Sequence, residues 1–203
     1  MLNRSTRTLP DLPYWAWIVI PMLVWLLAWA AQIHLPIFDY VPGVAIIFLP
    51  AGARTLAVLV FGWRGAVGIA IGTLITSLWF FDIARDNITL VSAIMMAMTS
   101  GFSALLMFKL VQWWQNIPDD LSTLRLKHIL TIVISQGLLS SSLHQLIYQN
   151  IFSFYTGQPL PVLLNSWLAM AVGDALGSML LLYTVAISAR WLIQRVAYSE
   201  PSS

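Results

Sequence analysis

Long apolar stretches separated by short polar ones fill the chain between Tyr14 and Trp191. Each apolar stretch approaches the roughly 20 residues that a helix needs to cross a bilayer. Hydrocarbon does not satisfy backbone N–H and C=O groups, so stretches of this kind are expected to be helical. The pattern predicts six membrane spans, at residues 14–32, 43–61, 66–81, 88–113, 129–154 and 160–191.

Residues 48–73 are the most informative part of this pattern. Two apolar runs meet there at a cationic, glycine-flanked turn, residues 62–65. The first run contains Arg54, and the second contains Gly68 and Gly72. Small residues spaced four apart let two membrane helices approach closely. The stretch therefore predicts a helical hairpin that packs tightly and carries a charge into the bundle.

The polar segments predict the arrangement across the membrane. Residues 1–13 and 192–203 are predicted to be short cytoplasmic tails on either side of a single transmembrane domain, residues 14–191. A six-span arrangement places eight of the ten basic residues on one side, and basic residues concentrate in cytoplasmic loops. Both termini are therefore predicted to be cytoplasmic. Within the polar connection 114–128, we expect a short interfacial helix that starts near Pro118.

Composition fixes the class of protein. Hydrophobic residues make up 59% of the chain and charged residues 9%, whereas soluble domains carry about 25% charged residues. The sequence therefore predicts an all-α integral membrane protein, a polytopic bundle of about six transmembrane helices. Cysteine is absent, which excludes disulfides and thiolate chemistry. The net charge of +2 is small, and we expect no nucleic-acid partner and no cofactor.

Three ionisable residues fall near the middle of their predicted spans: Arg54, His144 and Asp174. Placing Arg or Asp at the centre of a membrane helix costs about 2.5–3.5 kcal/mol, so such residues normally face a partner or a cavity. We therefore predict an intramembrane polar site in which Arg54 and Asp174 are paired and His144 lies nearby. Two interpretations remain open, a ligand-binding site and a structural ion pair that locks the bundle.

The neighbours of Asp174 indicate close packing. Ala169, Gly173 and Gly177 recur every four residues and therefore share one helix face. We expect Gly173 and Gly177 to serve helix packing rather than ligand contact. Asp174 would then be held close to the backbone of a neighbouring helix.

His144 lies among serines and glutamines, which indicates a polar seam along the fifth span. A proton-responsive role and a histidine simply bonded to Ser140 or Asn150 are both compatible with this context. No second histidine or carboxylate lies four residues on, so no metal site is predicted. A Ser-His-Asp set drawn from Ser140–Ser142, His144 and Asp174 lacks a nucleophile elbow. We therefore predict no catalytic residues and no enzymatic activity.

Two separated groups of motifs resemble one family, the type-one membrane-associated sensor (MASE) domain. Its first hairpin is resembled by LPAG at 49–52, GxR at 62–64 and GIxxG at 68–72, and a later span by Trp167 followed by GDALG at 173–177. The resemblance implies a multi-pass sensory module of the bacterial inner membrane. Such modules are usually joined to a cytoplasmic histidine kinase, diguanylate cyclase or phosphodiesterase.

No domain-sized polar segment follows Trp191, so no fused output domain is predicted. We therefore expect a stand-alone sensor-like regulatory module that acts through a separate membrane or cytoplasmic protein partner. Its docking surface would be residues 115–127 and both tails. Two alternatives stay open, a small-solute-binding subunit similar to the six-span subunits of vitamin uptake transporters, and a structural scaffold of an envelope assembly.

Overall fold

The computed structural model describes residues 12–34, 39–41, 44–80, 87–119, 121–156 and 164–199. These residues form six helices and one antiparallel pair of short strands. In chain order the elements are α1 (Ala16–Ile33), β1 (Asp39–Val41), β2 (Val44–Ala45), α2 (Leu49–Phe61), α3 (Trp63–Phe80), α4 (Asn87–Trp114), α5 (Leu126–Thr156) and α6 (Leu164–Ser199). The predicted helical architecture is confirmed, and the strand pair is an addition to it.

Four of the described helices are long and apolar enough to cross a membrane. Their apolar stretches are Ala16–Ile33 in α1, Leu90–Trp114 in α4, Leu126–Ile147 in α5 and Trp167–Leu192 in α6. The last helix continues well beyond the predicted span end at residue 191, because α6 reaches Ser199. The predicted tail 192–203 is therefore helical through Ser199.

The second predicted span, 43–61, is wrong in its first part. Strand β2 and an extended segment occupy residues 44–48, and α2 has only 13 residues. At about 1.5 Å per residue it is about 20 Å long, against about 30 Å of hydrocarbon. Pro50 sits in the first turn of α2, a position proline tolerates while it prevents the helix from extending backwards.

The turn between α2 and α3 is shorter than predicted. Only Gly62 separates the two helices, whereas the sequence suggested a turn over residues 62–65. Gly62 has φ of +59°, a backbone conformation that side chains with a Cβ rarely adopt. A Cβ on Gly65 would overlap the carbonyl of Ala57, so this hairpin closes backbone against backbone.

The predicted interfacial helix near Pro118 is wrong. The described residues of 115–125 form turns, and α5 begins at Leu126. Asn116 and Leu121 have positive φ values, 50° and 56°, which interrupt a right-handed helix. Leu121 packs against an apolar cluster inside the bundle instead of facing lipid headgroups.

Two ends of the bundle can be distinguished. Trp17 near the start of α1 packs edge-on against Phe61 at the end of α2, with ring centroids 5.6 Å apart. A buried cluster joins the ends of α2 and α4 to the starts of α3 and α5: Val58, Ala66, Ala104, Phe108, Val111, Ile117 and Ile132. We call this the Arg64 end. At the opposite end, Gln32 near the end of α1 accepts a hydrogen bond from the Leu49 amide at 3.0 Å. Trp167 near the start of α6 lies at this end, which we call the Trp167 end.

Helices α1 and α3 meet along the face that carries Gly68 and Gly72. A Cβ on Gly68 would overlap the carbonyl of Ile18, and one on Gly72 would lie 2.8 Å from the Trp25 ring. Trp25 is only 2% exposed and packs with Ile69. These glycines therefore allow α1 and α3 to approach closely.

Candidate functional site

A buried ion pair joins α2 to α6. Arg54 lies in the second turn of α2 and its side chain is 1% exposed, while that of Asp174 on α6 is 9% exposed. Nη2 of Arg54 donates to Oδ2 of Asp174 at 2.6 Å. A charge-assisted hydrogen bond of this kind is about twice as strong as a neutral one. The structure thus brings together the two charges that the sequence suggested as partners.

Helix α5 extends the site with Ser140 and His144. Nη1 of Arg54 donates to Oγ of Ser140 at 2.7 Å. Nδ1 of His144 lies 2.8 Å from the carbonyl oxygen of Ser140, and Nε2 lies 3.2 Å from Oγ of Ser100 on α4. Of the two partners expected for His144, Ser140 is thus in contact, and the side chain of Asn150 lies outside the described residues. Hydrogen bonds thus connect α6 to α2, α2 to α5, and α5 to α4.

The contact with a carbonyl assigns the tautomer of His144. A carbonyl oxygen only accepts, so Nδ1 carries a hydrogen and donates to Ser140. In the neutral ring Nε2 is then an acceptor, and the Ser100 hydroxyl donates to it. The carboxylate of Asp174 faces Arg54. Arg54 and Asp174 therefore form a charge pair, and His144 lies beside it, hydrogen-bonded to Ser140 and Ser100.

A second polar cluster lies next to the ion pair, and sequence analysis missed it. Oγ1 of Thr55 donates to Oε1 of Gln136 at 3.0 Å and lies 3.1 Å from Oγ of Ser178. All three residues are 1% exposed. The available signal was spacing, because Gln136 precedes Ser140 by four residues and Ser178 follows Asp174 by four. Both pairs share a helix face.

The glycines of α6 determine how close α2 can come. A Cβ on Gly173 would overlap the carbonyl of Ala45, and one on Gly177 would overlap that of Phe48. The Phe48 amide donates to the Gly173 carbonyl at 3.0 Å. These glycines therefore pack on the extended chain before α2, a contact that the expected helix–helix packing did not include. A Cβ on Gly52 would in turn lie 2.7 Å from the Gly177 carbonyl.

The three site residues lie toward the Trp167 end of their helices. Arg54 lies five residues after the start of α2, His144 twelve residues before the end of α5, and Asp174 ten residues after the start of α6. Each is therefore in the half of its helix that is nearer the Trp167 end. The predicted position at the middle of the membrane stays a prediction.

Trp167 itself holds that end of the site together. Its Nε1 donates to Oγ of Ser142 on α5 at 2.9 Å. One residue further along α5 than His144, Gln145 donates to the sulfur of Met170 at 3.1 Å. Polar contacts thus connect α5 to α6 on the Trp167 side of the ion pair.

These features define a multi-pass helical membrane protein with a buried polar site between α2, α5 and α6. Residues 16–203 match the profile of the MASE1 family, nearly the whole chain. The chain therefore belongs to the MASE1 family of membrane-associated sensor domains. No curated protein matches the chain, and no solved structure does.

Proposed function

We propose that this chain is a regulatory module that detects a signal at the Arg54–Asp174 site and passes it through α6 to a separate protein partner. One observation carries the proposal. The buried ion pair joins the 13-residue α2 to the 36-residue α6. A change at the pair would shift a short helix against the longest of the described helices. In this scheme the chain has no catalytic role of its own.

The charges at the Arg64 end indicate which end of the bundle faces the cytoplasm, and therefore which side the signal would reach. Arg64 is the second residue of α3, Lys109 lies near the end of α4, and Arg125 directly precedes α5. Basic residues mark the cytoplasmic side of a membrane. We therefore place the Arg64 end and both termini on the cytoplasmic side of a bacterial inner membrane. The chain then crosses six times, with α2 as a short crossing. The polar site lies nearer the external face.

Topology can be tested with reporter fusions. We expect reporters inserted within residues 82–87 and fused after Ser203 to lie in opposite compartments, because α4, α5 and α6 make three crossings between them. Alkaline phosphatase and a fluorescent protein report the external and cytoplasmic sides respectively. Equal signals from the two positions would contradict the six-span arrangement.

Unused polar groups on the helices that build the site suit a small polar signal molecule. Nε of Arg54 is buried and has no partner among the described residues, and the same holds for the hydroxyls of Ser103 and Ser141. Ser103 lies three residues after Ser100 on α4, and Ser141 directly follows Ser140 on α5. Unsatisfied buried groups cost roughly 1–3 kcal/mol each. A small polar molecule that satisfied them would change the free energy of the α2–α6 arrangement, which is what a sensor requires.

The far part of α6 offers a surface to the partner. Tyr183 and Ile187 are exposed residues one turn apart, beyond the polar site. Arg190 lies one turn further on the same helix face and is also exposed. An apolar helix with a basic residue suits a partner that contacts both the membrane and the cytoplasm. The predicted docking residues of 115–127 lie at the same end of the bundle.

Affinity purification from native membranes, followed by mass spectrometry, tests this proposal. We expect the wild-type chain to recover a specific protein, and the Arg54→Leu/Asp174→Leu double variant to lose it while remaining folded. Val172→Leu is the matched control, because Val172 is 49% exposed on the same helix. Equal recovery with the double variant would contradict the proposal. A bound small molecule without any protein partner would instead favour a solute-binding subunit.

A further inference from the structure

A second cationic residue, Arg64, lies in an aromatic cluster at the Arg64 end of the bundle. Its guanidinium carbon is 4.5 Å from the ring centroid of Tyr14, 5.8 Å from Trp17 and 5.7 Å from Trp63. Cation–π contacts at these distances are attractive and orient the guanidinium. The three rings come from the start of α1 and the start of α3, so two helix ends contribute to one site.

The hydrogen-bonding capacity of Arg64 is unused within the described part of the chain. A guanidinium has five N–H donors and no acceptor. Nε of Arg64 is buried and has no partner, and the described residues place no carboxylate within ion-pair distance of this side chain. Arg54 differs, because both of its terminal nitrogens donate to side chains. Arg64 therefore presents donors that suit an external anion.

The surroundings of Arg64 indicate where that anion comes from. Tyr14 is 58% exposed, Trp15 63% and Trp63 52%. Exposed tyrosine and tryptophan at the ends of membrane helices lie at the level of the lipid headgroups. The anion available at that level is the phosphodiester of a phospholipid, and arginine matches two phosphate oxygens with two parallel N–H groups.

We propose that Arg64, held by Tyr14, Trp17 and Trp63, binds the phosphodiester of an anionic phospholipid. An anionic headgroup suits the site better than a zwitterionic one. A choline or ethanolamine group would bring a second cation next to Arg64, and the described residues provide no carboxylate there to receive it. The bound lipid would fix the starts of α1 and α3 relative to the membrane surface.

The experiment measures lipid binding by the purified full chain. Protein delipidated in a neutral detergent is titrated with phosphatidylglycerol, phosphatidylcholine or inorganic phosphate, and binding is followed by thermal melting and native mass spectrometry. We expect phosphatidylglycerol to bind the wild type most tightly. Arg64→Gln should weaken that binding roughly tenfold, since charge-assisted hydrogen bonds are lost, and should remove the preference over phosphatidylcholine.

Matched variants separate the site from general charge effects. Lys109→Gln removes a half-exposed cation at the same end of the bundle, one whose charge already faces Asp119 at 3.4 Å, and should leave lipid binding unchanged. Tyr14→Phe keeps the ring and should bind as the wild type does, whereas Tyr14→Leu should weaken binding. Tyr14→Leu also provides the test if Arg64→Gln does not fold. Equal weakening by Lys109→Gln, unchanged binding in both Arg64→Gln and Tyr14→Leu, or equal affinity for inorganic phosphate would overturn the proposal.

Discussion

The α1–α3 and α2–α6 interfaces use glycine in the same way but differ in chemistry. In both, glycines four residues apart leave space that a neighbouring segment occupies, backbone at Gly68, Gly173 and Gly177 and the Trp25 ring at Gly72. The α1–α3 interface is otherwise mainly apolar, with Trp25 and Ile69 buried at its centre. The α2–α6 interface adds the Arg54–Asp174 pair. Lipid chains are as apolar as leucine side chains. Apolar packing alone therefore favours a neighbouring helix over lipid only weakly. We therefore predict that the ion pair specifies the register of α2 against α6.

Breaking the ion pair should give the largest effect. Asp174→Leu strands a buried guanidinium that cannot lose its proton, and we expect a loss of about 3–5 kcal/mol in the free energy of unfolding. Arg54→Leu should cost less, because the remaining carboxyl can take up a proton. The double variant should be more stable than Asp174→Leu. Thermal melting in detergent measures all three proteins.

A control keeps the shape of the pair while removing one charge. Asp174→Asn retains an oxygen that can accept a hydrogen bond from Nη2 of Arg54. Its loss in free energy of unfolding should therefore be smaller than that of Asp174→Leu. If the losses of the two single leucine variants simply add in the double variant, the two side chains do not interact energetically.

Part of this site was predictable from sequence because its members are costly in a membrane. Arg54 and Asp174 carry opposite charges within apolar runs, and each needs a partner there. Thr55, Gln136 and Ser178 were missed because neutral polar residues occur in membrane helices without such a cost. Their contacts depend on how α2, α5 and α6 are placed, which local pattern does not encode.

Element boundaries were predicted less well than the presence of helices. Hydropathy is continuous through residues 43–61, so it conceals the strand and extended chain before α2. The usable signal was Pro50, which suits only the first turn of a helix. The interfacial helix failed because Asn116 and Leu121 adopt positive φ. Asparagine tolerates this conformation, but leucine gives no local indication of it.

Added methyl groups at the glycines should give an intermediate effect. Gly177→Ala places its Cβ against the Phe48 backbone, and Gly68→Ala places it against the Ile18 backbone. Backbone cannot rotate away, so each should cost about 1–3 kcal/mol. Gly72→Ala meets the Trp25 side chain at 2.8 Å and backbone only at 3.3 Å, at the Met22 carbonyl, so it should cost less. Melting temperatures of the three variants measure the order.

The same glycines can separate the two interfaces when combined with the charge variants. Gly177→Ala also shifts α6 beside Asp174, so its cost should fall in the Arg54→Leu/Asp174→Leu background. The cost of Gly68→Ala should stay the same in that background, because α1–α3 does not contain the pair. Equal coupling at both glycines would show that the two interfaces are not independent.

Removing one hydroxyl from each interface should give the smallest effects and the sharpest comparison. Thr55→Val keeps the shape of the side chain but removes contacts of 3.0 Å to Gln136 and 3.1 Å to Ser178. Hydrogen bonds between membrane helices average about 0.6 kcal/mol each, so we expect a loss of about 1 kcal/mol. Between helices, Thr76→Val removes the 3.5 Å contact from Nε1 of Trp25. Each hydroxyl also donates to a carbonyl of its own helix, that of Thr76 to Thr73 at 2.9 Å and that of Thr55 to Ala51 at 3.0 Å, so both variants lose such a bond. At 3.5 Å the interhelical bond is weak, and its loss should add less than about 0.5 kcal/mol. Both variants replace threonine by valine inside a buried helix. Any change in helix propensity is therefore the same in the two variants. Chemical unfolding in mixed micelles resolves differences of this size. A larger loss for Thr76→Val than for Thr55→Val would show that polar specificity is not concentrated at the α2–α6 interface.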